Sequence, residues 1–280
     1  MGTVGFSFDP AVIVLIAGAT ALYVRAVRVL ARRGFEVPFW QQVAWHAGML
    51  LTAIALLSSI DRLGDDLLSA HMAQHLLIAD LAAPLLLVGL RTPVLVFFIP
   101  RPALVPLART KWLRAAFRTL RRPLVAIPVF VALLYGWHFA FAFEGALRND
   151  LVHALQHQSF VIGSVLVWWA VIDPKRRRVR GELWKIGHLL GARLASMFLG
   201  MAFLLMSTPA YQAFYGGSAR AHGLSPIGDQ QLAGAMMMLL DLAVMFFALG
   251  FFFWRAAADH DRDERIERER AARARAAAAA

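Results

Sequence analysis

The chain has no cysteine among its 280 residues, which excludes disulfides, thiolate zinc sites, iron–sulfur clusters and copper carriage by cysteine. It is also poor in charge, because only 17% of its residues are Asp, Glu, Lys or Arg. Its apolar fraction of 59% exceeds the roughly 45–50% that is usual for soluble domains. A soluble domain of this length has too little interior for that much apolar surface, and disordered chains are poor in apolar residues. The composition therefore predicts a membrane protein.

The motifs of several common enzyme classes are missing as well. The sequence has no H-E-x-x-H, no P-loop, no G-x-G-x-x-G that opens a helix after a strand, and no G-x-S-x-G. Its three lysines, Lys111, Lys175 and Lys185, lie outside the long apolar segments, which excludes a retinal Schiff base. We therefore expect a protein that is not an enzyme.

Seven apolar segments are long enough to cross a hydrocarbon core about 30 Å thick, so the predicted fold is all-α and polytopic. The first is expected to be a span and not a removed signal peptide, because it is long and lacks a small-residue cleavage site. The stretch Thr92–Leu107 contains four prolines, and we expect it to lie at the interface or to re-enter without crossing. The predicted spans are 10–30, 40–60, 66–90, 123–143, 150–172, 186–207 and 230–254.

The basic residues indicate how the spans are oriented. They gather after spans one, three and five, in the segments 25–33, 91–122 and 175–185, whereas the other connections carry mainly Asp and Glu. The positive-inside rule then places the N-terminus outside and the C-terminus in the cytoplasm. The predicted domains are a transmembrane domain over 1–254 and a charged, Ala-rich, helical cytoplasmic tail over 255–280. Because the net charge of +11 follows this topology, we expect no nucleic-acid partner.

The pattern H-x-x-Q-H occurs twice, in span three and in span five, and histidines four residues apart can offer two nitrogens to one ion. At about 1.5 Å per residue, both pairs and a histidine of span four lie within about 15 Å of the outer ends of their spans. Ionisable side chains inside a membrane are costly and usually functional, which predicts a metal or haem site. Hydrogen bonding between helices is the alternative. The candidate ligands are His71, His75, His138, His153 and His157.

Copper is the leading candidate for the metal, with haem as the second cofactor to consider. Imidazole suits copper, zinc, iron and nickel, and the scarcity of outer carboxylates disfavours calcium and magnesium. Gln74 and Gln156 either fix the orientation of the histidine rings or hydrogen-bond between helices, and both explanations stay open. Several methionines add thioether sulfur, which favours Cu(I), although Met is also a common packing residue. They are Met72, Met206, Met236, Met237 and Met238.

A second polar set lies deeper in the predicted spans and comprises His46, Asp80, Arg193 and Asp241. Unpaired charges there are very unfavourable, so we expect Arg193 to pair with Asp80 or Asp241. A structural ion pair and a proton or ion pathway both explain such a set.

Two further features concern the surroundings of these groups. The outer connection 208–229 carries His222 and Asp229, each of which is a candidate to gate or complete the histidine site. The spacing of Gly187 and Gly191 in span six predicts a close contact with a neighbouring helix.

At the two H-x-x-Q-H segments, and over about residues 40–255, the sequence resembles the CtaG-type cytochrome c oxidase assembly factors of bacteria that make caa-type oxidases. The resemblance implies an integral protein of the bacterial plasma membrane that is needed to assemble an active haem–copper oxidase by handling copper. It implies oxidase subunits as partners, and no electron transfer by this chain itself. The matching pieces are 71–75 with 83–86, Trp137-His138, 153–160, Trp168-Trp169, Pro209, Tyr211, Tyr215, 229–231 and Gly234.

Three other functions stay open on the sequence. Facing histidines are also the axial ligands of haem in membrane electron carriers. A permease for copper or protons would use the outer histidines together with the inner charged set. A scaffold would contact oxidase subunits and bind no cofactor.

Overall fold

A computed structural model of the protein describes residues 7–172 and 183–279. These residues are 87% helical and include no strand, which confirms the all-α prediction. The first half of the chain forms α1 to α8, at Pro10–Ala31, Phe39–Leu57, Ser59–Asp66, Leu68–His75, Ala83–Gly89, Val94–Phe98, Arg101–Arg109 and Lys111–Leu120, with a π-helical segment, Leu76–Ala82, between α4 and α5. The second half forms α9 to α14, at Pro123–His138, Ala140–Leu147, Asp150–Ile172, Leu183–Leu205, Gln212–Ala221 and Pro226–Ala279.

Among the described residues, five helices are long and apolar enough to cross a membrane, and seven spans result if each of two bent pairs counts as one. The bent pairs are α2 with α3, at 46°, and α9 with α10, at 72°. The first bend lies at Ser58, whose extended backbone ends α2 while its hydroxyl accepts a hydrogen bond from the Ile60 amide of α3. The second lies at Phe139, also extended, so the predicted spans 40–60 and 123–143 are each broken and not straight.

The third span is continuous from Leu68 to Gly89 but widens into the π-helical segment in its middle. Pro84 follows this segment, and a proline has no N–H to donate to the carbonyl four residues earlier, which here is that of Asp80. A π-helical turn often marks a functional position in a helix. Here it places Asp80 inside the bundle, one to two turns below His75.

The helices α12 and α14 approach closely at two glycines. A Cβ added to Gly200 would lie 2.9 Å from the carbonyl oxygen of Gly234, so these two glycines let the backbones touch. Of the predicted pair, a Cβ added to Gly191 meets Ile127 of α9 at 3.5 Å, an ordinary contact, whereas one added to Gly187 meets nothing within 4 Å in the described parts of the chain. Gly187, Gly191 and Gly200 all lie on α12, and their spacing alone does not say which face approaches a neighbour most closely.

The helix α1 lies at the edge of the bundle. Tyr23 and Leu30 pack with Trp45 of α2 and Val94 of α6, while most other side chains of α1 are exposed or half-buried, as a lipid-facing helix requires. The proline-containing stretch 92–107 forms α6 and part of α7, which are too short to span, as expected. Its continuation, α8, buries no side chain in the described protein.

The last helix, α14, carries the seventh span and runs without interruption through the tail to Ala279. This confirms that the tail is helical, as its composition predicted. The basic segment Lys175–Arg180, which contributed to the predicted orientation, lies outside the described residues.

Candidate metal centre

The start of α4 is fixed by a side chain from the other end of the sequence. Asp229 of α14 is buried, and its carboxylate accepts hydrogen bonds from the amides of Leu68, at 2.7 Å, and Ser69, at 3.0 Å. Such a carboxylate satisfies amides that a helix leaves unpaired at its N-terminus. Asp229 therefore positions the helix that carries His71 and His75 and caps it, instead of gating the site.

The other candidate of the outer connection, His222, lies at the surface. Its Nε2 is 3.0 Å from an Oδ2 of Asp66, and both side chains are substantially exposed. It therefore forms a surface pair away from the buried histidines.

The four histidines of the two H-x-x-Q-H segments come together between α4 and α11. Within each helix the ring centroids lie 4.5 Å apart for His71 and His75 and 4.3 Å apart for His153 and His157. Between the helices, His71 stacks on His153 at 5.0 Å, and His75 meets His157 edge-on at 4.8 Å. One ring nitrogen from each residue lies within 4.8 Å of those from the other three. We call these four residues the histidine cluster.

His71 and His75 of the histidine cluster are buried, His153 is half-buried, and five ring nitrogens of the cluster lack partners in the described protein. His71 and His75 are 1% and 7% exposed. Among the described residues, Nε2 of all four histidines and Nδ1 of His75 make no hydrogen bond. A buried polar atom without a partner costs about 1–3 kcal/mol, whereas a neutral imidazole nitrogen is a metal ligand. The donor set therefore fits a metal ion such as copper.

Aromatic side chains enclose the cluster and keep water out. The ring of Phe143 lies 5.1 Å from that of His71, and the ring of Phe160 lies 4.8 Å from that of His75. Tyr211 stacks on Phe143 at 4.1 Å, and its hydroxyl donates to the carbonyl of His138 at 2.7 Å. The sequence analysis did not identify Phe143, because no local motif marks the bend at Phe139 that carries it there.

His138, the fifth predicted ligand, lies apart from the other four. Its Nδ1 is 2.6 Å from the carbonyl oxygen of Leu134, one turn earlier in α9, and its ring lies 5.8 Å from that of Phe160, which also packs against His75. The structure thus brings together four of the five candidates. Direct ligation of the same ion by His138 stays a prediction.

The two glutamines of the repeated motif differ. Gln74 donates to the carbonyl of Ala55, at 3.2 Å, and to a carboxylate oxygen of Asp61, at 2.7 Å, so it bonds between helices and does not orient a histidine. Gln156 is fully buried, and neither polar atom of its side chain has a partner in the described chain.

The inner polar set contains an ion triad. Arg193 is 1% exposed, and its Nη1 contacts carboxylate oxygens of both Asp80 and Asp241, the latter at 3.0 Å. This confirms the expected pairing, with both carboxylates engaged at once. His46 does not join them, because it lies on an exposed face of α2 with its ring 5.8 Å from that of Tyr23 in α1.

Comparison with known proteins gives a family match over most of the chain. A family model described as cytochrome c oxidase caa3 assembly factor matches residues 21–259. An uncharacterized protein of Mycobacterium bovis is 28% identical over 223 residues, which is 76% of this chain and 33% of the relative. An uncharacterized protein of Mycobacterium leprae is 26% identical over 260 residues, which is 88% of this chain and 39% of the relative. The chain thus spans about a third of the length of these relatives. No solved structure matches it significantly.

Proposed function

Because the chain belongs to the cytochrome c oxidase caa3 assembly factor family, we propose that it helps to assemble a haem–copper oxidase in a bacterial plasma membrane. In this proposal the histidine cluster binds copper near the extracytoplasmic face and passes it to an oxidase subunit. Copper is the cargo, and the chain catalyses no reaction. The partners are the oxidase subunits and the surrounding lipid.

The observation that carries this proposal is the set of buried, bare imidazole nitrogens on two facing helices. Imidazole suits copper, and a cluster without carboxylates or thiolates holds it without adding negative charge to the membrane interior. Four neutral ligands around a monovalent or divalent ion also allow release, since the protein offers no thiolate to retain it. These properties match delivery better than permanent storage.

The arrangement argues against haem between the two histidine pairs. Axial ligation requires a macrocycle between two imidazoles. Here the rings of His71 and His153 stack directly on each other, and those of His75 and His157 are in edge contact. The rings leave no slot for a porphyrin between α4 and α11.

Metal analysis and an absorption spectrum of the detergent-purified protein test the proposal. We expect copper in the parent protein and less copper per chain when His71→Asn and His153→Asn are combined. The matched control is the pair His46→Asn and His222→Asn, which removes two histidines outside the cluster and should leave the copper content unchanged. An intense Soret band would favour the haem carrier instead. Neither metal nor haem, after copper is offered under reducing conditions, would favour the scaffold.

A further inference from the structure

A small internal cavity lies just below the histidine cluster, on the cytoplasmic side in the predicted orientation. Its volume is about 30 Å³, which is room for a single ion or water. Polar and sulfur-containing side chains from α4, the π-helical segment, α9, α12 and α14 line this cavity. They are Met72, His75, Asp80, His138, Ser196 and Met237.

Two imidazoles border this cavity with nitrogens that the described protein does not satisfy. His138 has its Nδ1 next to the Leu134 carbonyl, which leaves Nε2 buried and without a partner. His75 has both ring nitrogens buried and bare, and the single lone pair of its neutral ring is assigned to the histidine cluster.

Two thioethers complete the donors. Met72 is 2% exposed and Met237 is 3% exposed, and they reach the cavity from α4 and α14. Thioether and imidazole together are soft and borderline ligands, a combination that selects Cu(I) over zinc or the hard alkali and alkaline-earth ions.

We propose that this cavity is a second Cu(I) site, formed by Met72, Met237 and Nε2 of His138 and adjacent to the histidine cluster to which His75 belongs. The inference deepens the proposed function and rests on it, because the ion arrives from the histidine cluster. The role of His138 then differs from that of the other four histidines. It is a ligand of the inner ion and not a fifth ligand of the outer one.

The ion triad supplies the charge that such a site needs. Asp80 borders the cavity and, with Asp241, shares the single guanidinium of Arg193, so the triad has one negative charge more than it has positive charge. A Cu(I) ion held by neutral sulfur and nitrogen ligands carries one positive charge. Opposite charges attract strongly in a low-dielectric interior, so the occupied site and the triad stabilise each other.

An anaerobic titration of the full-length, detergent-purified protein with Cu(I) tests this, with a coloured Cu(I) chelator as competitor. We expect two ions per chain in the parent and one ion per chain when Met72→Leu and Met237→Leu are combined. Leucine conserves the volume of methionine and is well tolerated in packed interiors. The matched control combines Met236→Leu with Met238→Leu, which flank Met237 on α14, and should still bind two ions. Unchanged stoichiometry in the Met72/Met237 variant would overturn the inference.

X-ray absorption at the copper edge gives an independent measurement if the double variant folds poorly, since each single substitution can then be used. We expect sulfur neighbours around copper in the parent and in the control, and fewer or none in the Met72→Leu or Met237→Leu protein. One ion per chain with nitrogen neighbours only would overturn the second site and leave the proposed function standing. No bound copper in any of these proteins would overturn both. After the cluster substitutions we expect one ion with sulfur neighbours, and two ions per chain in that variant would reject the cluster as a copper site.

Discussion

Two groups of polar side chains lie inside the same helical bundle, and one pairs opposite charges while the other brings like groups together. In the ion triad, Arg193 contacts Asp80 and Asp241, so opposite charges meet directly. In the histidine cluster, like groups face one another, and their Nε2 atoms have no partner in the described protein. Groups that pair with each other hold helices together, whereas bare groups reduce stability until a ligand satisfies them. Nε and Nη2 of Arg193 and Oδ2 of Asp241 are also without partners in the described protein, so the two groups differ in that the triad compensates charge with charge.

The largest effect on stability is expected at the triad. Arg193→Met removes the cation from between two buried carboxylates, which should lower the free energy of unfolding by about 3–5 kcal/mol. Thermal unfolding in detergent, followed by circular dichroism, measures this. Arg193→Lys keeps a cation and should lose less of the free energy of unfolding. An unchanged unfolding midpoint for Arg193→Met would show that the ion triad does not hold the helices together.

The histidine cluster should respond in its affinity for copper more than in the stability of the metal-free protein. Losing a neighbour that merely orients a ligand commonly weakens metal binding about 10–100-fold, so losing the ligands themselves in the His71→Asn, His153→Asn protein should cost at least as much. A competition titration with Cu(I) measures the affinity. Equal Cu(I) affinity in the parent and the variant would show that the histidine cluster, like the triad, is not a copper site.

Copper should also stabilise the parent protein through this site. Ligand at about 100 times its dissociation constant adds about 2.7 kcal/mol to the free energy of unfolding. The unfolding midpoint should therefore rise with copper in the parent and rise less in the cluster variant. A rise of the same size in both would place the binding elsewhere.

A smaller effect is expected at the helix cap that supports the cluster. Asp229→Ala removes the acceptor for the amides of Leu68 and Ser69 and should lower the free energy of unfolding by about 0.5–2 kcal/mol. Copper affinity should fall with it, because α4 carries two of the four ligands. Thermal unfolding and copper titration of the same sample would show both changes. If Asp229→Ala changed neither the stability nor the copper affinity, the cap would not position α4.

The smallest effect is expected at the surface pair of His222 and Asp66. Exposed pairs are worth about 0.2–1 kcal/mol, so Asp66→Asn should change the unfolding midpoint little and copper affinity not at all. This variant is the carboxylate control for Asp229→Ala. A loss of copper affinity here would extend the site to the surface.

The sequence alone predicted the features that depend on helical spacing and on the cost of burying charge. The repeated H-x-x-Q-H placed each histidine pair on one helix face, and the need to neutralise Arg193 predicted its carboxylate partners. Long-range contacts were not predictable in this way. Asp229 caps a helix about 160 positions earlier in the chain, and no local pattern announces that contact.

Rotation about a helix axis and bends within spans account for the remaining differences. His46 lies at a depth that suits the inner polar set but points to an exposed face, and Gly187 faces no neighbour in the described chain while Gly200 does. His138 shares a depth with the cluster, yet α9 ends there and turns by 72°, and His138 is not among the four histidines whose nitrogens come together. Counting residues from the end of a span gives the depth of a side chain in the membrane, but not its position within the layer at that depth.

The copper content of the oxidase itself tests the central claim most directly. Cytochrome c oxidase would be purified from cells in which this chain carries His71→Asn and His153→Asn, and its copper and haem would be compared with those from cells carrying the control, His46→Asn with His222→Asn. The account predicts an oxidase depleted of copper in the first strain and complete in the second. Full copper content in both strains would contradict it.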